Sequence, residues 1–118
     1  MLWLMRAEGT SSKRTFGAMI GRRWHGRVPS NKAEEYLRLM KQVGLADYRA
    51  TEGNRGAWCL HRREGEIVHV EMFTLWEDLE AIRRFAGDAL TKAKYYEFDP
   101  DFLLELMPEV MHFDIIEA

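Results

Sequence analysis

The stretch from residue 57 to residue 75 limits the possible folds more than any other part of the chain. Residues 57–63 and 66–75 are rich in β-branched, aromatic and other apolar side chains, and Glu64-Gly65 breaks them. Two residues ending in glycine suit a tight hairpin between antiparallel strands. With Glu64-Gly65 as the loop, Arg63 is expected opposite Glu66, Leu60 opposite His69, Cys59 opposite Val70 and Trp58 opposite Glu71. Side chains alternate between the faces of a strand. One face of the hairpin then carries Ala57, Cys59, Val68, Val70 and Met72. The other carries Trp58, Leu60, Ile67, Phe73 and Leu75, with His69 and Glu71 among them.

Both faces are therefore rich in apolar residues. A sheet covered on one side only alternates apolar with polar residues. The rest of the chain must supply one cover, and a second copy of the sheet is the simplest candidate for the other. Large exposed apolar patches mark interfaces, so a homodimer packed sheet against sheet is expected.

The remaining elements fit around the hairpin. A first strand is expected from about residue 18 to residue 28. Pro29 precedes a first helix, and Asn31 with Glu34 three residues on resembles a capping box. Ala33, Tyr36, Leu37, Met40 and Val43 fall on one face at helical spacing, and Gly44 is the expected stop. A second helix begins near Trp76-Glu77-Asp78, whose carboxylates favour a helix N-terminus. Its stripe is Leu79, Ile82, Phe85 and Ala86, and Gly87 ends it; Asp88 is placed to cap a further turn through Ala93. Asp99-Pro100 reads as a cap followed by proline at the first helical position, giving a short helix through Leu104. A last strand follows Pro108, over residues 110–117. The order β-α-β-β-α-β is the ferredoxin-like arrangement, an α+β fold with an antiparallel sheet.

At 118 residues the chain is one domain by size. Residues 1–17 differ from the rest: 8–15 are polar and aperiodic, and read as a flexible N-terminal extension to a domain spanning 18–118. Trp3 and Leu4 leave open the alternative of an arm that clasps a dimer. A net charge of −2 gives no general attraction to nucleic acid or anionic membranes, and neither is expected as a partner. The single cysteine, Cys59, cannot close an intramolecular disulfide. No apolar run is long enough to cross a bilayer, and the first residues are too short for a secretory h-region. A cytoplasmic location is the default.

Candidate functional residues fall into a few groups. His69 and Glu71 share a face, and a histidine with a carboxylate in an aromatic setting can transfer protons; the competing account is a hydrogen-bonded pair inside the dimer interface. Trp24, Phe85, Tyr95, Tyr96 and Phe98 can wall a pocket for a planar aromatic ligand between helices and sheet. His25, His69 and His112 show no His-x-His or Cys-x-x-Cys spacing, so no metal is expected. The arginine pairs at 22–23, 62–63 and 83–84 read as surface solubility.

Residues 19–29, 48–56 and 74–82, the last reading Thr-Leu-Trp-Glu-Asp-Leu-Glu-Ala-Ile, resemble the first strand, the turn into the second strand and the strand-to-helix junction of antibiotic biosynthesis monooxygenase (ABM) domains. Tyr95-Tyr96 and Val110-Met111-His112-Phe113 fit a subgroup of these small proteins. The resemblance covers roughly residues 19–117 and implies a dimeric α+β barrel. It leaves the activity open, because that family mixes cofactor-free oxygenases, haem-degrading enzymes and proteins of unknown role. The haem-degrading branch carries Asn, Trp and His where this chain has Trp24, Phe85 and Tyr95, which disfavours that role. One expectation within the family is a cofactor-independent monooxygenase acting on a small aromatic compound, with His69 as the candidate base, Trp24, Tyr95 and Tyr96 as pocket residues, and no cofactor. The alternative is a non-catalytic small-ligand-binding or stress-response dimer of the same fold.

Overall fold

The computed structural model describes residues 19–118; the expected extension 1–17, with Ala18, lies outside the described residues. The elements are β1 (Ile20–Pro29), α1 (Ala33–Leu39), α2 (Ala46–Ala50), β2 (Asn54–Glu64), β3 (Ile67–Trp76), α3 (Leu79–Ala86), α4 (Asp99–Phe102) and β4 (Met111–Asp114). The strands form one antiparallel sheet in the order β2-β3-β1-β4. This is the ferredoxin-like α+β fold that the element order predicts.

The hairpin differs from its expected register by two residues. Glu64 pairs with Ile67, Arg62 with His69, Leu60 with Glu71 and Trp58 with Phe73, so the turn residues are Gly65-Glu66. Gly65 has φ 62, which the mirror-image hairpin turns require at their first central position. A shift of two leaves every side chain on its assigned face, because strand periodicity is two.

One face of the sheet carries the core. Ile20, Trp24 and Val28 of β1 and Val68, Val70, Met72 and Trp76 of β3 are buried, against Ala33, Tyr36, Met40 and Tyr48 from the first helical region and Ala81, Ile82 and Phe85 of α3. Several local expectations are corrected. The first helix has no side-chain cap: Ser30–Lys32 form a 3₁₀ turn before α1, and Asn31 is exposed. Gly44 is not a stop, because the helix widens into π-helical turns over Met40–Leu45 and continues through α2. There Gly44 is buried beside Met40 and Met72. Asp78 caps α3 by accepting from the Ala81 amide at 2.9 Å, and Gly87 at φ 89 ends it. No helical turn follows Asp88; the next regular element is α4, where Pro100 sits one position later than expected and Phe98 holds the cap position.

The last strand is short, and β4 pairs only with Ile20–Arg23 of β1. The remaining edge of β1 is shielded by the chain after α4: the Leu104 amide donates to the Arg27 carbonyl at 2.9 Å, and Arg27 grips Glu105 through two bonds of 3.0 and 2.7 Å. Beneath, the buried Asp99 carboxylate accepts from the Tyr36 hydroxyl at 2.7 Å and from the Tyr96 amide at 2.6 Å, tying α4 to α1. No helix among the described residues is long and apolar enough to cross a membrane.

Candidate functional site

Among the described residues, no helix covers the opposite face of the sheet. Trp58, Leu60, Met111 and Phe113 are 49%, 50%, 54% and 42% exposed there. A polar row crosses this apolar field. The His69 ring accepts or donates on both sides: its Nε2 lies 2.7 Å from Glu64 Oε1, and its Nδ1 lies 3.1 Å from His25 Nε2, with the two imidazoles stacked at 5.3 Å. Beside them Arg23 donates to Glu71 at 2.8 Å. That bond holds the Glu71 carboxyl below the usual carboxylate range. Burial draws His25 below its ordinary value, with Glu71 opposing and His69 and Arg23 assisting. A depression of about 280 Å³ is bounded by Leu60, His61, Arg62, His69 and Glu71, and one of about 200 Å³ includes Arg23, His25 and Met111.

The aromatic set expected to wall a pocket lies on the helix-covered face, across the sheet from His69. Trp24 and Phe85 are 4% and 5% exposed. The Trp24 ring covers Gly26, where a Cβ would fall 2.5 Å from it, and meets Tyr95 edge-on at 6.2 Å. Tyr95 donates its hydroxyl to the Met107 carbonyl. Phe85 stacks on Tyr48 at 4.4 Å and packs against Trp76. Tyr96 stacks on Phe98 and donates to Asp47 at 2.7 Å. Trp24 with Tyr95, and Phe85 with Tyr48, are thus distinct ring pairs within one core. His112 is the register partner of Arg22 and shares the covered face, whereas His25 lies on the open one. Among the described residues, no group of three or more His, Cys, Asp or Glu is arranged to hold a metal ion.

A residue that sequence reasoning misplaced stands beside the second ring pair. Arg22 is 1% exposed, not a solubilising surface residue. Its Nη2 donates to the Lys92 carbonyl at 2.9 Å, and its guanidinium carbon lies 5.4 Å from the centre of the Phe85 ring. Burial draws Arg22 below its ordinary value, and the neighbouring Tyr48 and Tyr96 oppose that. Burial pushes the Tyr48 hydroxyl up to about 12, with Arg22 pulling the other way. The available signal was parity: Arg22 shares its side of β1 with Ile20, Trp24 and Val28, while Arg23 points to the open face.

No family model matches the chain, and no curated protein matches it in sequence. Solved structures do match it. One is Rv0793 from Mycobacterium tuberculosis, at 14% identity and a TM-score of 0.59, covering 85% of this chain and 97% of that one. Another is an uncharacterized NIPSNAP-like domain protein from Burkholderia xenovorans, at 20% identity and a TM-score of 0.51, covering 81% and 82%. These likenesses show a shared fold.

Proposed function

We propose that this chain works as a non-catalytic, small-ligand-binding homodimer of the ABM type, with its two sheets packed face to face. The observation that carries this reading is the separation of the parts a catalyst would need together. His69 lies on the open face, while Trp24, Phe85, Tyr95 and Tyr96 lie on the helix-covered face, with Trp24 and Phe85 in the core. A base cannot take a proton from a ligand held across the sheet, since general-base catalysis needs hydrogen-bond reach. The open face instead supplies an apolar surface of interface character, crossed by the Arg23–Glu71 and Arg27–Glu105 pairs. The small ligand is then an aromatic compound received among the helix-side rings, with no metal or cofactor invoked.

A second reading draws on the Glu64–His69–His25 chain of hydrogen bonds. Such a chain orients an imidazole for proton transfer, and supports a cofactor-independent monooxygenase working at the open face. Dioxygen uptake over a panel of hydroquinones and polyphenols separates the two. The binding protein consumes no dioxygen above the buffer rate. Turnover that is lost in His69→Ala favours the enzyme and overturns the proposal.

A further inference from the structure

Building on the ligand-binding reading, we infer that Arg22 is the anion-recognising residue of the helix-side site, and that the ligand is a small planar aromatic anion such as a carboxylate. Arg22 is a cation held at 1% exposure, and among the described residues it forms no ion pair. Its Nε is buried without a hydrogen-bond partner, Nη2 donates to the Lys92 carbonyl, and the Tyr48 hydroxyl is a further, neutral hydrogen-bonding neighbour of the guanidinium. Arginine stays charged under all ordinary conditions, so this arrangement is costly unless an anion completes it. Asp47 and the buried Asp99, the carboxylates of this neighbourhood, are already engaged: Asp47 accepts from Lys94 Nζ at 2.7 Å and from the Tyr96 hydroxyl at 2.7 Å, and Asp99 from the Tyr36 hydroxyl and the Tyr96 amide.

The surroundings define the ligand's shape. The Phe85 ring has Arg22 at 5.4 Å and Lys94 Nζ at 4.4 Å from its centre, and Tyr48 stacked on it. Lys94 is 37% exposed in its side chain, and its Nζ also lies 5.9 Å from the centre of the Tyr96 ring; the inference requires this flexible stem to swing aside and admit a ring beside the guanidinium. Flat walls receive a flat ring. The planar fork of arginine, with Nε and an Nη side by side, matches the two oxygens of a carboxylate. A buried arginine kept without a counter-ion is also the kind of local cost that binding sites retain.

The test uses the full chain, benzoate, its neutral counterpart benzamide, and Arg22→Met, which keeps an apolar stem and removes the charge. Without ligand, Arg22→Met is expected to melt about 4 °C or more above the wild type, because a costly buried cation is gone. Millimolar benzoate should raise the wild-type melting temperature and benzamide should not. Benzoate affinity by calorimetry should fall about tenfold or more in Arg22→Met. An Arg22→Met protein that melts lower than wild type, or fails to fold, makes Arg22 an internal strut and overturns the inference. Equal binding of benzamide and benzoate overturns it too, while the ligand-binding reading stands. Binding of neither removes both.

Discussion

The two faces of this sheet are built from similar residues and end in different states. On the helix side, Val28, Val70 and Trp76 are 0% exposed. On the other side, Trp58, Leu60 and Met111 keep about half of their surface in water. Apolar content alone does not separate them, since both faces carry aromatic and aliphatic side chains. The difference lies in how charge is handled. Among the described residues the covered face buries Arg22 without an ion-pair partner, whereas the open face pairs Arg23 with Glu71 and Arg27 with Glu105 and hydrogen-bonds His69 to Glu64. Paired charges inside an apolar field suit a surface that is desolvated reversibly. Arg22 and Arg23, neighbours in sequence, thus point to opposite faces, and only Arg23 has an ion-pair partner among the described residues.

The sharpest break of this comparison is to place the same charge on each face. Val70→Glu puts a carboxylate into the closed core without a partner, which costs several kcal/mol, about 3–5. Circular dichroism should show the fold lost. Phe73→Glu places it on the open face, and the protein should stay folded but run as a monomer or aggregate in sizing with light scattering. Arg83→Glu, on the exposed side of α3, should change neither. If Val70→Glu stays folded while Phe73→Glu unfolds, the roles of the two faces are reversed.

A subtler probe asks whether the closed side is held by Asp99. Tyr36→Phe removes the hydroxyl that donates to this buried carboxylate and should cost about 1.5–3 kcal/mol in urea unfolding. Burial raises the Asp99 carboxyl above its usual range, although the Tyr96 amide and Tyr36 hydroxyl partly oppose this. Below the ordinary Asp value both states hold the proton and the contribution is complete. As pH rises toward the folded value the unfolded state releases its proton first, and that stability is lost. Asp99→Asn should therefore flatten the decline of stability as pH rises above the ordinary Asp value.

On the open face the sign reverses and the size shrinks. Arg23 holds Glu71 below the carboxylate range, so its contribution is present above that range and lost as pH falls through it. The pair is about a third exposed, and Glu71→Gln should cost well under about 1 kcal/mol in the same unfolding assay.

Much of this architecture was legible in residue order because periodicity survives small errors. The hairpin register was read two residues off, yet every face assignment held, since a strand repeats every two residues. Gly87 and Asp78 act at the ends of α3 through local backbone chemistry that sequence displays. Gly44 misled because a glycine also occurs inside helices, and here the chain runs on through π-helical turns into α2. The candidate site was less legible. His69 pairs with Glu64 and His25 rather than with Glu71, since Glu71 turns to Arg23. Burial of Arg22 requires knowing where helices land, which parity alone suggests but adjacency to Arg23 obscures.

The account rests most heavily on a second copy covering the open face. The direct measurement is the solution mass of the full chain at micromolar concentration, by sizing coupled to light scattering. A mass of twice the 13.9 kDa chain is expected, falling to the single-chain value in Phe73→Glu. A wild-type mass of 13.9 kDa under the same conditions would contradict it, and would leave Trp58 and Leu60 as surface in a monomer.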